Sequence, residues 1–396
     1  MTTTLRRSST LVVAALLAAA CAGPRPTPAR APDPAPSAAS VASDPAPRAA
    51  VPVSASSDLL FVGDTFWGRF VEQEARRSGL GARYPFSGLR GFERDHYDAW
   101  IGNLECPVVA GLHLPAAEQD RLLSFNCDPG FLDEAARWFT AFSLGNNHTG
   151  NQGRDGLAET RHHLDEHGIQ HFGDPDPRRL DHVCNVVTVP VRVTVDDGST
   201  TSGGLPLALC GFDGVFRIPS EAAVDELATY AELLPTVAMP HNGLEYTSTP
   251  DSIKVSFDRS LIDHGADLVV GGHPHWIQPA EVWHGRLIAY SLGNFIFDQR
   301  FDAEVTRSAA LQVSLSTDDE DLARWLALGA LCRARQGDCL RQVRQAGLPK
   351  PRLDYRYSIV GTTSADGVTR PADAAQTRAI EQRLDWPTVA ERLDRP

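Results

Sequence analysis

An excess of positive charge is absent from this sequence. Its 396 residues include 37 Lys and Arg against 50 Asp and Glu, which gives a formal net charge of −13 at pH 7. Domains that bind nucleic acid or an anionic bilayer through their overall charge are usually basic. The composition therefore predicts no nucleic-acid partner, and any attachment to a membrane would have to come from a lipid anchor.

The sequence also lacks a hydrophobic run of membrane-spanning length near its amino terminus. The apolar stretch Leu11–Ala20 has only about ten residues, whereas a spanning helix needs about twenty. Arg6 and Arg7 precede this stretch, which is the pattern of an export signal. We therefore predict a signal peptide over residues 1–21 and export from the cytoplasm.

The end of this signal is consistent with more than one processing route. Leu17–Cys21 resembles a lipoprotein cleavage box, in which Cys21 would be lipidated and would tether the mature chain to a membrane. The alternatives are ordinary cleavage at an Ala-x-Ala site near Ala20 or Ala22 and a twin-arginine signal. The predicted location is accordingly a membrane-tethered lipoprotein or a periplasmic or extracellular protein.

Internal repeats of 20 to 50 residues are missing, which argues against a solenoid or a propeller. Residues 22–57 are rich in Ala, Pro and Ser and almost free of large apolar side chains, so they are predicted to form a disordered linker. Residues 58–318 are predicted to form the main domain. Residues 319–396 are predicted to form a helical and strand appendage of no evident chemistry.

The seven cysteines become six if Cys21 carries lipid. An even number in an exported protein favours disulfides over reactive thiols. Cys332 with Cys339 is the first predicted pair and Cys106 with Cys127 the second, although spacing alone does not fix the connectivity.

Apolar runs bounded by Gly, Asn and Asp alternate with segments of helical period, which indicates β/α units. The predicted strands of this part are Asp58–Val62, Tyr97–Ile101, Phe139–Leu144, Leu205–Cys210, Leu233–Met239 and Asp267–Val270, and the predicted helices are Arg154–His167 and Ser252–His264. After Gly271 the runs are short and separated by turns, which predicts a second, more antiparallel sheet packed on the first: Ala280–Trp283, Arg286–Ser291 and Ala309–Leu315.

Oxygen and imidazole ligands stand directly after apolar runs at five places along the chain. These are Asp64, Glu105, Asn147 with His148, His241, and His273 with His275. Open α/β sheets bind their ligands at the carboxyl ends of their strands. Asp64 or Glu105 taken alone is more simply a turn or loop residue, but the set predicts a two-metal hydrolase site.

His273-Pro274-His275 is the most specific of these segments. Proline is expected to hold the chain extended, so that the side chains at i and i+2 face the same way and both imidazoles reach one cluster. The donors of the set are carboxylate, amide and imidazole without cysteine, which suits Mn, Fe or Zn better than Mg or Ca. Two divalent ions about 3.5 to 4 Å apart would generate a hydroxide nucleophile near neutral pH.

The set of motifs resembles the CapA-type capsule-synthesis (poly-γ-glutamate biosynthesis) family, a branch of the calcineurin-like metallophosphoesterase superfamily. The resemblance covers roughly Asp58 to Leu315 in matching order. The motifs that carry it are Val62-Gly63-Asp64, Gly102-Asn103-Leu104-Glu105, Asn146-Asn147-His148-Thr149, His241-Asn242-Gly243-Leu244-Glu245-Tyr246, Gly272-His273-Pro274-His275 and Ser291-Leu292-Gly293-Asn294-Phe295.

The resemblance implies an α/β fold, a four-layer αββα sandwich with a dinuclear metal site and a C-terminal appendage. It implies metal binding by Asp64, Glu105, Asn147, His241, His273 and His275, and protonation of the leaving group by His148. Glu245 would orient His241 or be an exposed loop residue, and Asn294 would secure the turn that carries the metal histidines. The sequence departs from the family where Glu105 replaces an aspartate, Phe66 a histidine and Asn242 a tryptophan.

The function predicted from this resemblance is an exported hydrolase of capsule or poly-γ-glutamate metabolism, with an anionic surface polymer or its precursor as partner. The bond cleaved, phosphoester or amide, stays open. The alternative is a non-catalytic lipoprotein that anchors or helps to export such a polymer. Five arginines after the first strand could line the mouth of a site for an anionic substrate, but the acidic residues among them, Glu72, Glu74 and Glu93, favour an ordinary mixed surface: Arg69, Arg76, Arg77, Arg83 and Arg90.

Overall fold

The computed structural model describes residues 50–394. The predicted signal peptide, the lipidation prediction at Cys21 and residues 22–49 of the predicted linker lie outside the described residues. None of the helices within residues 50–394 is long and apolar enough to cross a bilayer.

The described residues form fourteen strands and ten α-helices. The strands are β1 (Pro52–Thr65), β2 (Ala99–Leu104), β3 (Ala141–Ser143), β4 (Gln170–Phe172), β5 (Cys184–Val195), β6 (Thr200–Asp213), β7 (Thr236–His241), β8 (Leu268–Val270), β9 (Ile277–Trp283), β10 (Arg286–Leu292), β11 (Asn294–Ile296), β12 (Arg307–Thr317), β13 (Asp354–Thr363) and β14 (Arg370–Pro371). The helices are α1 (Arg69–Arg77), α2 (Ala116–Leu122), α3 (Leu132–Ala135), α4 (Gly153–Glu166), α5 (Glu221–Ala231), α6 (Ser252–Asp263), α7 (Leu322–Ala334), α8 (Cys339–Ala346), α9 (Ala374–Arg383) and α10 (Trp386–Leu393).

Strand β1 connects all parts of the sheet. It pairs in parallel with β2 and β11 and antiparallel with β12 and β5. One hydrogen-bonded path runs β14-β13-β12-β1-β5-β6-β7-β8-β10-β9, and β2, β3, β4 and β11 branch from β1. The strands after Gly271 are more antiparallel, as predicted, but the separate second sheet is wrong because β10 and β12 bond directly to β8 and β1.

Alternate side chains of β1 enter two different apolar cores. Leu59 and Phe61 join a mainly aliphatic core that includes side chains of β5 to β8, α5 and α6. Leu60 and Val62 join a core rich in aromatic rings, together with side chains of β2, β3, α1 and α4. Successive side chains of a strand point to opposite faces. Helices therefore lie on both outer sides of the strands, which confirms the predicted αββα class, and the two layers of strands are joined through β1 into one hydrogen-bonded sheet.

The first strand is longer than the sequence indicates. β1 begins at Pro52, whereas the linker was predicted to continue to residue 57. Ala55 and Ser56 pair with Val193 and Arg192 of β5, and also with the far end of β12. Small polar residues carry little strand preference of their own, so this extension depends on pairing partners distant in sequence.

The C-terminal residues continue the same compact unit. β13 pairs with β12 over ten residue pairs, from Arg307 with Thr363 to Ser316 with Asp354. Helix α7 packs on β5 and β6, α9 on β13, and α10 on β9. The predicted appendage is thus a covering of helices attached to an additional strand of the main sheet.

Three disulfides link all six cysteines of the described residues. The predicted pairs Cys106–Cys127 and Cys332–Cys339 are both confirmed. The third, Cys184–Cys210, joins directly opposite positions of β5 and β6. β5 is not among the predicted strands, so this pair was not predicted.

Candidate metal centre

The predicted ligands lie at the carboxyl ends of two groups of parallel strands. Asp64 is near the end of β1, beside Asn103 of β2 and Asn294 of β11. His241 ends β7, and a bridge joins it to Gly272 after β8. The approach between β1 and β11 is close, since a Cβ at Gly63 would lie 1.8 Å from the carbonyl oxygen of Gly293. Parallel pairing is therefore what gathers residues more than 200 positions apart.

Asp64, Glu105 and His241 form a buried group that could hold a metal ion, with one ligand atom from each within 4.8 Å of the others. His241 Nδ1 lies 3.5 Å from Asp64 Oδ1, and His241 Nε2 lies 3.5 Å from Glu105 Oε1. His275 Nδ1 is 3.3 Å from Asp64 Oδ2. All four side chains are at most 3% exposed.

Several donor atoms of this cluster have no hydrogen-bond partner among the described residues. They are both carboxylate oxygens of Glu105, Oδ1 of Asn147, Nε2 of His241 and Nδ1 of His273. Buried polar atoms in folded proteins are nearly always hydrogen bonded, because an unsatisfied one costs about 1 to 3 kcal/mol. Carboxylate, amide and imidazole atoms in this state fit divalent cations of the Mn, Fe or Zn type.

The imidazoles of His273 and His275 both reach the cluster, as predicted, but the backbone conformation that brings them there differs from the predicted one. Their φ angles are 88° and 58°, so the backbone turns at both residues and the predicted extended conformation is wrong. The imidazole centroids are 6.1 Å apart, and His273 lies 5.0 Å from His241. Such angles are uncommon for residues other than glycine and often occur at functional sites.

Gly272 allows this turn to pass against the cluster. An added Cβ at this position would lie 2.7 Å from Asp64 Oδ1 and 3.1 Å from His241 Nδ1. The backbone N–H of His273 then donates to Asp64 Oδ2 at 3.3 Å. The turn therefore orients the Asp64 carboxylate as well as presenting histidines.

Asn103 belongs to the cluster, although it is not among the residues predicted for the site. Its amide Nδ2 donates to Asp64 Oδ1 at 2.9 Å and lies 3.2 Å from His241 Nδ1. Asn146 Nδ2 in turn donates to Asn103 Oδ1 at 2.9 Å. Both residues precede predicted ligands in the chain, Glu105 and Asn147. Their positions inside the two motifs were the available signal.

His148 lies beside the cluster with its ring fixed on two sides. Its centroid is 4.2 Å from that of Phe125, and its Nδ1 is 3.1 Å from Asn151 Oδ1. That oxygen also accepts the N–H of Phe125 at 2.8 Å, so it acts as an acceptor and Nδ1 carries the proton. Nε2 of His148 has no partner among the described residues.

The two predicted supporting residues differ in their contacts. Asn294 Oδ1 lies 2.8 Å from His275 Nδ1, which places it directly against one of the predicted ligands. Glu245 lies near His275, with 3.8 Å between Oε1 and Nε2, and its side chain is 43% exposed. The contact of Glu245 among the described residues is thus with His275, and its role in orienting His241 stays a prediction.

A cavity of about 900 Å³ opens over the cluster. Glu105, Asn147, His148, His273 and His275 line it together with aromatic and charged residues of the mouth.

One of those mouth residues is Arg69, which the sequence analysis assigned to a mixed surface. Its side chain is only 7% exposed and pairs with Asp298 through Nε and Oδ2 at 2.7 Å. Its guanidinium lies 4.8 Å from the centroid of Phe125. Arg69 is thus a fixed part of the cavity wall, and the surface assignment is wrong for this residue.

Burial and charge act in opposite directions on the ionisable groups. Burial lowers the pKa of His241, but Glu105 and Asp64 outweigh it and raise the pKa to about 10. Burial alone would raise the pKa of Asp64, yet His241 and His275 hold it well below its usual range. For His273, burial dominates and lowers the pKa well below 6.5. The carboxylates thus favour positive charge at the centre of the cluster.

Asp213 is a further buried carboxyl next to the cluster. It pairs in register with His241 and accepts the N–H of Val215 at 3.1 Å. Burial raises its pKa to about 6.

Comparison with known proteins gives matches over the region that carries these residues. The family model "Bacterial capsule synthesis protein PGA_cap" matches residues 58–198 and 219–299, more than half of the chain. The PGA biosynthesis protein CapA of Bacillus subtilis (strain 168) is 30% identical over 268 residues, which are 65% of this chain and 67% of that protein. The capsule biosynthesis protein CapA of Bacillus anthracis is 28% identical over 262 residues, or 61% of this chain and 60% of that protein.

Among solved structures, that of TT1561 of Thermus thermophilus covers 76% of this chain and 98% of its own, with 13% identity and a TM-score of 0.32. The family match rests on the sequence and includes every predicted ligand from Asp64 to His275. The chain belongs to the family of bacterial capsule synthesis proteins described as PGA_cap.

Proposed function

We propose that the protein is an exported metal-dependent hydrolase that acts on a capsule polymer, such as poly-γ-glutamate, or on its precursor. The observation that carries the proposal is the buried set of unsatisfied donor atoms on Glu105, Asn147, His241 and His273 at the base of a cavity. The family match supports the polymer. The three disulfides support export, because such bonds persist mainly outside the cytoplasm.

Two divalent ions of Mn, Fe or Zn type would be held by the six predicted ligands: Asp64, Glu105, Asn147, His241, His273 and His275. When bound, such ions lower the pKa of a water ligand and stabilise negative charge on the attacking and leaving oxygens. The two carboxylate oxygens of Asp64 face different histidines: Oδ1 lies near His241 and Oδ2 near His275. Asp64 would therefore be shared between the two groups of ligands. Asn103 would keep that carboxylate from rotating.

His148 is proposed to donate the proton that the leaving group needs. The Nδ1 proton is held by Asn151, and Phe125 limits rotation of the ring, so Nε2 is the atom that exchanges a proton with substrate. Burial lowers the pKa of His148. A proton at Nε2 is therefore weakly held and is readily transferred to a departing alkoxide or amine.

The test combines metal analysis with turnover on substrates of different leaving groups. For His148→Ala we expect the rate on an alkyl phosphodiester or a γ-glutamyl polymer to fall about a hundredfold to a thousandfold, the usual size of a general acid's contribution. The rate on a p-nitrophenyl ester should fall much less, because that leaving group needs no proton. His162→Ala is the matched control, since this histidine is 68% exposed on α4.

If His148→Ala lowers the turnover rate equally on the p-nitrophenyl ester and on the substrates whose leaving group needs a proton, the acid role of His148 is refuted. Turnover that survives in an Asp64→Ala, His148→Ala double variant would refute the hydrolase mechanism as a whole. Bound metal with no turnover on any substrate class would support the alternative, a non-catalytic lipoprotein that anchors or helps to export the polymer.

A further inference from the structure

A second cavity lies next to the one over the metal centre. Its volume is about 480 Å³. Four arginines line it: Arg154, Arg178, Arg179 and Arg217. This concentration of guanidinium groups contrasts with the net acidic charge of the chain.

Two of these arginines are already neutralised by carboxylates. Arg178 Nε pairs with Asp176 at 2.7 Å, and Arg179 pairs with Asp181 at 3.1 Å. The carboxylate of Asp174, which also lines the cavity, is paired with Arg161 at 2.9 Å.

Arg154 and Arg217 differ from this pair. Both are exposed, and neither side chain has a hydrogen bond or ion pair with another residue of the range 50–394. The third carboxyl of the lining, Asp213, accepts a backbone N–H. The cavity therefore offers two guanidinium groups that no protein carboxylate satisfies within the described residues.

The two cavities share their walls. The segment 147–154 contributes Asn147, His148 and Asn151 to the metal cavity and Gly150, Gly153 and Arg154 to the second one. The loop after β6 lines both as well, through Phe216. The side chain of Phe216 is 86% exposed, so it stands at the junction without closing it. A linear substrate bound at the metal centre can therefore extend past Phe216 into the second cavity.

We propose that the second cavity is a subsite for a carboxylate-bearing polymer, in which Arg154 and Arg217 bind acidic groups next to the bond held at the metal centre. This rests on the proposed function, because it takes the polymer as substrate. Guanidinium groups suit the site because they bind carboxylates through two parallel N–H donors. The subsite selects a charged polymer over a neutral one, which the metal centre alone does not do.

The test measures binding of a fluorescently labelled poly-γ-glutamate oligomer by anisotropy, with its methyl ester as the neutral probe. In Arg154→Gln, Arg217→Gln we expect the Kd for the acidic oligomer to rise roughly tenfold, since each exposed charge contact is worth up to a factor of about five. The variant should also bind with a weaker dependence on salt. The Kd for the methyl ester should not change.

Arg77→Gln, Arg90→Gln is the matched control, because both side chains are exposed, have no partner among the described residues and line neither cavity. It removes the same charge elsewhere, and its Kd should stay within about twofold of the wild-type value. Equal weakening in both double variants would overturn the subsite, since it would show attraction by overall charge. An unchanged Kd in Arg154→Gln, Arg217→Gln would overturn it as well.

Turnover of a p-nitrophenyl ester distinguishes this proposal from the proposed function. The ester carries no polymer chain to occupy the second cavity, so its turnover by the wild-type protein reports on the metal centre, whereas polymer binding reports on Arg154 and Arg217. Polymer binding that depends on these arginines in a protein without turnover would support the subsite and refute the hydrolase. Turnover of the ester together with polymer binding that does not depend on these arginines would support the hydrolase and refute the subsite.

Discussion

Two buried polar clusters lie on either side of one peptide unit, and they are built differently. The site cluster comprises Asp64, Glu105, Asn147, His241 and His273, and the lysine cluster comprises Asn242, Lys254 and Asp258. A Cβ at Gly271 would lie 3.0 Å from Lys254 Nζ, whereas a Cβ at Gly272 would lie 2.7 Å from Asp64 Oδ1. Helix α6 supports the loop from one side and β1 from the other.

The lysine cluster is closed on itself. Lys254 Nζ lies 3.1 Å from Asp258 Oδ2 and donates to Asn242 Oδ1 at 2.5 Å, while Asn242 Nδ2 donates to Asp258 Oδ1 at 3.1 Å. The site cluster instead leaves five buried atoms without a hydrogen bond among the described residues, whereas the lysine cluster leaves one, Asp258 Oδ2, which faces the charge of Lys254 Nζ at 3.1 Å. The difference separates an ion pair in which each charge faces an opposite one from a group of side chains that could hold a metal ion.

The largest effect on stability is expected in the lysine cluster. Lys254→Met should lower the free energy of unfolding by about 3 to 5 kcal/mol, because it leaves the fully buried Asp258 carboxylate unpaired. Urea unfolding measures this loss, which should be the same with and without a chelator. A loss below about 1 kcal/mol would show that the pair is not structural.

Replacing both Lys254 and Asp258 should lower the free energy of unfolding by less than replacing Lys254 alone. Lys254→Met, Asp258→Leu is expected to recover most of the stability lost in the single variant, because no uncompensated charge stays buried. The same urea experiment compares the two. If the double variant is the less stable protein, the pair contributes a net attraction that burial does not offset.

In the site cluster, the expected effect depends on metal. At a metal concentration one hundred times the Kd, wild-type protein should gain about 2.7 kcal/mol over its chelated form, and Glu105→Gln should lose most of this gain. With chelator, the two proteins should differ by less than about 1 kcal/mol, since the lost attraction to His241 offsets the lower cost of burial. If the free energies of unfolding of wild-type protein and Glu105→Gln differ by the same amount with and without chelator, Glu105 is structural, like Asp258.

The smallest effect is expected for Asp213, which lies in register with His241 but outside both clusters. Burial raises its pKa from 3.8 to about 6, so its protonated form is the one that favours folding. That stability is fully present below pH 3.8 and is lost as the pH rises through about 6. Asp213→Asn should therefore raise the free energy of unfolding at pH 8 by about 1 to 3 kcal/mol, with a smaller gain toward pH 4.

Thermal unfolding of chelated protein between pH 4 and pH 8 measures this trend. Asp95→Asn, at an exposed position, serves as control and should give a nearly flat difference. A gain for Asp213→Asn that grows toward low pH would have the wrong sign for a buried carboxyl.

The sequence was sufficient to predict which side chains come together but insufficient to predict how they are held in place. Apolar runs followed by Asp64, Glu105 and His241 are local signals, and parallel pairing brings their ends together. The turn at His273 and His275 was not predictable, because nothing local indicates positive φ at two histidines around a proline.

Long-range pairing accounts for most of the other errors. The start of β1 has little pattern of its own and depends on its pairing with β5 and β12. Strand β5, in contrast, has valines that alternate with polar residues, a local signal that the predictions did not use. Lys254 and Asp258 have the i, i+4 spacing of an ordinary surface pair, and only the tertiary structure shows that they are buried. Asn103 likewise acquires its role from its position between Asp64 and His241.

Metal analysis of purified protein tests the central claim most directly. We expect close to two equivalents of Mn, Fe or Zn in the wild-type protein, a clear loss in Glu105→Gln and Asp64→Ala, and full occupancy in Lys254→Met, Asp258→Leu. Wild-type protein that takes up no divalent ion, or an Asp64→Ala variant that keeps its full metal content, would contradict it.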